Sequence, residues 1–207
     1  MPSPETLNKR ILLPLLASIV AITPLAIDLY LPAMLVIAND LQTTMPNVQI
    51  SLSIYLAGYA LGMLFFGPIA DELGRRLLAK VGLALFGISS LALAFCTNIE
   101  LFWSLRAVQA FTGAAATVVV PGIIRHIYRE NTAKGMSYVS MIMMVAPLIA
   151  PTLGSLIMGI STWQVIFIAL AAYSFAILAL VQIHLIDIPI FKSQQRGVAL
   201  FFNSYKT

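Results

Sequence analysis

Charged residues are scarce in this 207-residue chain, at 10% of the sequence, whereas hydrophobic residues make up 60% of it. Soluble domains carry roughly 25% charged residues, so this composition excludes an ordinary water-soluble enzyme or binding module. The mean hydropathy of +0.94 points the same way. Cys96 is the only cysteine, which excludes an intrachain disulfide and leaves cysteine uninformative about the compartment. We therefore expect a protein of the lipid bilayer.

Histidine is also rare, and the formal net charge is only +4. His126 and His184 are far apart in the sequence and have no evident ligand partners, so we expect no metal. In a soluble protein the positive charge could indicate a nucleic-acid partner. In a membrane protein it is interpreted by its position along the topology instead, and we expect no nucleic acid.

Six long apolar runs organise the chain. A bilayer core about 30 Å thick needs roughly 20 apolar residues per helical span, and the alternating pattern of barrel strands is absent. The sequence therefore predicts an all-α integral membrane protein with one domain over residues 11–188, preceded by a short N-terminus over 1–10. The predicted spans are approximately 11–38, 48–70, 77–97, 101–124, 135–160 and 163–186.

The basic residues predict the orientation. Of the 12 lysines and arginines, all except Arg106 lie at the N-terminus, around the second and fourth connections or in the tail. Because positively charged loops stay in the cytoplasm, we expect both termini to be cytoplasmic. No A-x-A cleavage site follows the first run, so a retained span is expected rather than a signal peptide.

Two charged residues, Asp28 and Arg106, lie inside predicted spans. Counted from the ends of their runs, both lie in the outer part of the membrane, where an acid and a base at similar height could pair. Ionisable groups inside a membrane are functional candidates, and a carboxylate with changing solvent access suits a proton carrier. The alternative is that Arg106 extends to the headgroups and Asp28 caps its helix.

Helix-breaking residues recur in the first and fourth runs. Pro24 and Pro32 bracket Asp28, and the fourth run contains Gly113 and Pro121. Interrupted helices at the first position of each group of three are typical of an inverted 3+3 repeat.

The second connection carries the most specific motif. We expect Gly67 and Pro68 to end one helix, Gly74 to permit a tight turn and Asp71 to pair with Arg75. The segment repeats the G-x-L-a-D-r-x-G-R-R loop of the major facilitator superfamily, at the place that this family gives it. The matching residues are Gly67, Asp71, Gly74, Arg75 and Arg76.

Three further segments resemble antiporters of that superfamily. Asp28 with Pro32 is similar to their first-helix motif, and Arg106 with Gln109 is similar to their fourth-helix motif. The fifth run resembles their G-P-x-x-G-G signature through Ala146, Pro147, Ala150, Pro151 and Gly154. Together these segments resemble the bicyclomycin-resistance (Bcr/CflA-type) group of drug:proton antiporters.

The resemblance implies the fold and the roles of these residues. The chain would be the N-terminal six-helix half of a major facilitator, exporting a small amphipathic drug against protons with no cofactor besides the proton gradient. Asp28, Arg106 and Gln109 would couple protons, the loop from Gly67 to Arg76 would form the cytoplasmic gate, and the fifth-helix motif would set that helix's bend. Departures from the family's motifs stand at Glu72, Ala110, His126 and Ser155.

Members of this superfamily have twelve helices, so residues 189–207 would begin the connector to a second half. That half would be a partner of this chain. One of its helices would contact Asp71 of the gate loop. Alternatively, two copies could form a half-size transporter, or the chain could be an inactive remnant. An intramembrane hydrolase is disfavoured because no G-x-S-G is present, and we expect no enzyme. Aromatic and flexible side chains suited to a drug cavity are Tyr30, Tyr55, Tyr59 and Met63.

Overall fold

The structure is a computed structural model that describes the backbone of residues 9–184 and the side chains of 11–184 apart from Asp71. All regular structure in this part of the chain is helical. The helices are α1 (Lys9–Asp28), α2 (Met34–Asp40), α3 (Met45–Leu73), α4 (Arg75–Leu93), α5 (Ile99–Thr117), α6 (Val119–Tyr128), α7 (Thr132–Ile160) and α8 (Trp163–His184). Residues 1–8 of the predicted N-terminal segment 1–10 and the predicted connector 189–207 lie outside the described residues.

Five helical stretches within the described range are long and apolar enough to cross a membrane, whereas the sequence predicts six spans. They are Ile11–Asp40, Met45–Ala70, Arg75–Leu93, Ile99–Ile160 and Trp163–His184. The fourth stretch is 62 residues long and covers both the fourth and the fifth predicted spans. A straight helix of that length would reach roughly 93 Å at 1.5 Å per residue, about three times the bilayer core.

The first predicted span is broken near its end. Helix α1 ends at Asp28, a short 3₁₀ turn follows over Leu31–Ala33, and α2 begins at Met34. The cause is Pro32, which has no backbone N–H to bond the carbonyl of Asp28 four residues earlier. The predicted interruption of this span is therefore confirmed.

The fourth predicted span is broken in the same way. Helix α5 ends at Thr117 and α6 begins at Val119. Pro121 lacks the N–H that would bond the carbonyl of Thr117, so the helix cannot continue with regular hydrogen bonds through this point.

The prediction that Gly67 and Pro68 end a helix was wrong. Helix α3 runs through both residues to Leu73, and a proline inside an exposed stretch of a membrane helix removes one hydrogen bond without stopping it. The turn comes later, at Gly74, whose φ of 87° separates α3 from α4. Glycine adopts this conformation without strain, so the predicted tight turn at Gly74 is confirmed.

Helix α5 packs closely against α3 and α4, α4 also packs against α8, and α1 packs against α7 and α8. The contact between α3 and α5 depends on small residues. A Cβ atom built on Gly58 would lie 2.9 Å from the carbonyl oxygen of Ala107, and one on Gly62 would lie 2.8 Å from that of Phe111. Ala110, where the family motif has glycine, fits because it faces Gly58 at 3.3 Å from the same built atom.

Side-chain contacts define the two ends of the bundle. At one end, which we call the Asp40 end, the Trp103 indole N–H donates to the carbonyl of Asn47 at 2.8 Å. At the other, the Arg75 end, Arg76 donates to the carbonyl of Gln182 at 2.9 Å. The starts of α3 and α5 thus lie at one end, and the start of α4 and the end of α8 lie at the other. This arrangement is expected for a bundle of antiparallel neighbours.

Candidate functional site

The centre of the site is Arg106, which is fully buried in α5. Its Nη1 atom donates to the carbonyl of Ala26 at 3.1 Å and to Oε1 of Gln109 at 2.8 Å. Its Nε and Nη2 atoms have no hydrogen-bond partner. Because α1 ends at Asp28, the Ala26 carbonyl belongs to the last turn of that helix, where the helix dipole is negative and favours a cation.

Gln109 connects the arginine to a second helix. Its Nε2 atom donates to the Ser90 hydroxyl of α4 at 2.8 Å, and that hydroxyl donates to the carbonyl of Phe86 at 2.7 Å. Both Gln109 and Ser90 are fully buried. These hydrogen bonds connect Arg106 to groups on α1, α4 and α5, so the three helices together set the position of its Nη1 atom.

Two tyrosine rings enclose the guanidinium group. The Cζ atom of Arg106 lies 4.5 Å from the ring centroid of Tyr30 and 4.4 Å from that of Tyr55. The Tyr30 hydroxyl lies 3.3 Å from the Ser51 hydroxyl of α3, which orients its ring. Cation–π contacts stabilise a desolvated cation by about 2 kcal/mol each. The charge of Arg106 is therefore stabilised by ring faces, a helix end and an amide.

The predicted pairing of Asp28 with Arg106 is not present. Both hydrogen bonds of the guanidinium go elsewhere, and no described side chain forms a hydrogen bond or ion pair with the Asp28 carboxylate. The alternative, in which Arg106 extends to the headgroups, is also wrong because its side chain is fully buried. Asp28 is the last residue of α1 and is half-buried.

An open apolar groove lies next to Asp28. It is a shallow depression of about 370 Å³ between α1 and α7. Leu25 lines the groove, and Asp28 follows it by three residues on the same helix face. The groove thus combines an apolar wall with a carboxylate one helical turn away. Its lining residues are Leu25, Met141, Ile142, Val145, Ala146 and Ile149.

The four side chains predicted to line a drug cavity divide into two pairs. Tyr30 and Tyr55 are fully buried and form the walls around Arg106, so their place in a drug cavity stays a prediction. Tyr59 and Met63 are half-buried on α3, beside the break between α5 and α6. There the Thr117 hydroxyl lies 2.9 Å from the Tyr59 hydroxyl and 3.9 Å from the Met63 sulfur.

The gate-loop arginines lie against neighbouring helices. The Arg75 guanidinium occupies the space beside Gly122 of α6, where a Cβ atom would lie 2.5 Å from its Cζ. Arg76 donates to the carbonyl of Gln182 in the last turn of α8, a favourable place for a cation. Glu72 is exposed. The side chain of Asp71 lies outside the described residues, so its predicted ion pair with Arg75 stays a prediction.

The fifth-helix motif lies on α7, which is continuous as a helix through Pro147 and Pro151. Gly154 and Ala150 are buried. A Cβ atom on Gly154 would overlap the carbonyl oxygen of Leu29, directly after the end of α1. Gly154 therefore permits the closest approach of α7 to the break in the first span, while Ser155 beside it is exposed.

Sequence reasoning missed several contributors to the site. Ser90 and the backbone carbonyl of Ala26 complete the arginine's network, and Gly122 makes room for Arg75. A serine or a glycine inside an apolar run gives little signal by itself. The carbonyl of Ala26 is available because α1 ends at Asp28, and the signal for that end in the sequence was Pro32, which cannot bond the carbonyl of Asp28.

Comparison with known proteins identifies the family of the chain. The chain matches the sequence profile of the Major Facilitator Superfamily over residues 16–204. It is 34% identical over 159 residues to a bicyclomycin resistance protein homolog of Haemophilus influenzae, covering 76% of this chain and 40% of the relative. It is 37% identical over 164 residues to the multidrug resistance protein MdtL of Escherichia coli O9:H4, covering 79% and 42%. An uncharacterized MFS-type transporter of Bacillus subtilis, YdgK, is 35% identical over 182 residues, covering 86% and 45%. The chain thus spans less than half the length of these relatives.

Proposed function

The chain belongs to the major facilitator superfamily, and on that premise we propose that it forms the six-helix first half of a proton-coupled drug efflux transporter. The count of six treats the 62-residue stretch Ile99–Ile160 as two crossings. The first would be α5 with α6 and the second α7. The change from α6 to α7 comes at Arg129–Asn131, a 3₁₀ turn that contains charged residues and suits a membrane surface.

The positions of the helix breaks support a 3+3 repeat. In this count, the first and the fourth spans are interrupted, after Asp28 and after Thr117 respectively. These are corresponding members of the two groups of three, and broken helices at corresponding positions are typical of inverted repeats in transporters.

The observation that carries the proposed coupling is the Asp28 carboxylate. It is half-buried within a predicted span and has no partner among the described side chains. A carboxylate that no fixed cation neutralises can bind and release a proton as its access to water changes. Arg106 and Gln109 would contribute by holding the end of α1 through the Ala26 carbonyl, so that Asp28 keeps its position.

The groove beside Asp28 supports a small amphipathic substrate. Its lining is apolar, and its volume of about 370 Å³ lies within the range of sites for drug-sized molecules. Its one methionine, Met141, can adapt to varied shapes. The substrate's apolar part would contact Met141 and Ile149, and a polar or basic group would lie near Asp28. Proton binding to Asp28 would then release that group.

The second half of the transporter would cover α7. Much of this helix is uncovered within the chain: Met144 is 74% exposed, Leu148 77% and Ile160 90%. Lipid covers part of an apolar surface of this kind, and a helical partner would cover the side that carries the groove. A second copy of the chain is the alternative occupant.

The loops at the Arg75 end carry the gate-loop arginines, so we assign this end to the cytoplasm by the positive-inside rule. The membrane would be the bacterial inner membrane. The Asp40 end would then face outward, with Asp28 nearer to that side.

The test begins by reading the coding sequence beyond the codon for Thr207. If further apolar spans follow, the completed transporter is expressed and proton-coupled drug export is measured in everted membrane vesicles. We expect Asp28→Asn to abolish drug-induced proton release while the protein still inserts. The matched control is Glu100→Gln, because Glu100 is an exposed acid at the start of α5 and its neutralisation should leave coupling unchanged.

Undiminished coupling in Asp28→Asn would refute the assignment of the proton site. If no spans follow Thr207, the chain is tested alone by crosslinking in native membranes. A crosslinked dimer with transport activity would favour the half-size transporter. A strictly monomeric chain would contradict it, because one bundle cannot enclose a cavity between two domains.

A further inference from the structure

The Asp40 end contains a contact that the transport site does not use. One carboxylate oxygen of Asp40, Oδ2, accepts from the indole Nε1 of Trp163 at 2.7 Å and from Nε2 of Gln164 at 3.5 Å. The three residues join the end of α2 to the start of α8. We call them the Asp40 latch.

The latch has a specific chemical basis. Trp163 is only 1% exposed, so its N–H group needs a protein acceptor, and a carboxylate is a stronger acceptor than a neutral oxygen. The first turn of α8 contains no acidic residue of its own. Asp40 therefore supplies, from another helix, the negative charge that the positive end of α8 favours.

Helix α2 needs such a contact because it is short and separate from α1. It has 7 residues, and the break at Leu29–Ala33 removes the continuous hydrogen bonding that would hold it in line. Two contacts fix the break itself, namely Tyr30 with Ser51 and Leu29 with Gly154. The buried side chains of Met34, Ile37 and Ala38 pack α2 into the bundle, and Asp40 adds a polar attachment at its far end.

Aromatic contacts connect the latch to the arginine site. The Trp163 ring centroid lies 6.0 Å from that of Phe167, edge to face, and Phe167 lies 6.3 Å from Tyr30. Tyr30 is one wall of the enclosure around Arg106. The start of α8 is thus packed, through two rings, against the same turn that follows α1.

We propose that Asp40 is a positioning residue whose carboxylate fixes α2 on α8, and that its release lets α2 move about the break at Leu29–Ala33 while α1 stays in place. The first span then consists of an anchored helix and a separately held end segment. This inference concerns the chain itself and is independent of the proposed transport activity.

Hydrogen exchange of the complete chain in lipid nanodiscs tests the proposal, because amide exchange reports local opening of a segment. We expect Asp40→Ala to speed exchange in the segment from Leu35 to Asp40 by at least about tenfold, the scale of a lost charge-assisted hydrogen bond. Exchange in residues 11–26 should stay within about twofold of the original chain. The control, Glu100→Ala, removes an exposed acid at the same end and should change neither segment.

A second variant separates the latch from general loss of structure. Trp163→Phe keeps a ring beside Phe167 but removes the N–H donor, so it should speed exchange in α2 as Asp40→Ala does. Both substitutions remove the same hydrogen bond, between Trp163 and Asp40. The double variant should therefore exchange no faster than the faster of the two single variants. Unchanged exchange of α2 in Asp40→Ala, or equal acceleration in all helices, would overturn the proposal.

Discussion

The close contact between Gly154 of α7 and the backbone of Leu29 predicts that one added methyl group has a large effect on stability. In Gly154→Ala, the new Cβ atom would overlap the carbonyl oxygen of Leu29 and lie 3.0 Å from its carbonyl carbon. Both atoms belong to the backbone, so no side chain can rotate away. Helix α7 must move, or the turn after Asp28 must move. Gly159 on the same helix offers the control, because a Cβ atom there meets nothing within 4 Å.

The magnitude follows from two opposing effects. Overpacking of a rigid contact costs about 1–3 kcal/mol, while alanine stabilises a helix interior by about 1 kcal/mol over glycine. We expect Gly154→Ala to lower the free energy of unfolding by about 1–2 kcal/mol, taking the upper part of the overpacking range because the neighbour is backbone. Gly159→Ala has only the favourable effect. The two variants should therefore differ by about 2–3 kcal/mol.

Thermal unfolding of the two variants in the same detergent measures this difference. For a chain of this size, 1 kcal/mol shifts the melting temperature by about 2–4 °C, so Gly154→Ala should melt about 4–12 °C below Gly159→Ala. Equal melting temperatures, or a higher one for Gly154→Ala, would refute the close contact between α7 and the break in the first span.

Three further predictions concern the site and the topology. Tyr55→Phe should raise the free energy of unfolding by about 1 kcal/mol, because it removes a buried hydroxyl that has no hydrogen-bond partner. Tyr30→Phe should lower it by about 1 kcal/mol, because the contact of its hydroxyl with Ser51 is lost. Thermal unfolding of the two variants compares these effects. Gln109→Leu should cost about 2–3 kcal/mol in the same assay, because it removes an acceptor from the buried Arg106. A green fluorescent protein fused to the chain's C-terminus should fluoresce if the proposed orientation, with a cytoplasmic C-terminus, is correct. A dark fusion together with an active alkaline phosphatase fusion would contradict that orientation.

Long elements were predictable from the sequence because burial in lipid imposes a simple pattern. Apolar runs marked the helices, and prolines marked the breaks after Asp28 and near Pro121. The end of α3 was not predictable in the same way. Gly67 and Pro68 indicate a helix end in water, but in a membrane the lost hydrogen bond does not stop the helix, which continues to Leu73.

The arginine site was only partly predictable for a geometric reason. Counting residues along the spans places Arg106 at a height similar to that of Asp28. In the structure, the Nη1 atom of Arg106 donates to the carbonyl of Ala26, which lies two residues before Asp28. Depth says nothing about which way each helix is rotated. Rotation directs the guanidinium between Tyr30 and Tyr55 and leaves Asp28 outside, and only the packing of α1, α3 and α5 determines it.

The separation of Asp28 from Arg106 has a consequence for proton coupling. In a buried ion pair, protonation of the carboxylate would leave the arginine without compensation, a change that costs several kcal/mol. Here the charge of Arg106 is stabilised by a backbone carbonyl, an amide and two ring faces, groups that keep their state near neutral pH. Asp28 can therefore change its protonation without disturbing the arginine's site. In the proposed transporter, the arginine would hold the end of α1 in place, and the Asp28 carboxylate at that end would bind the proton and the polar group of the substrate.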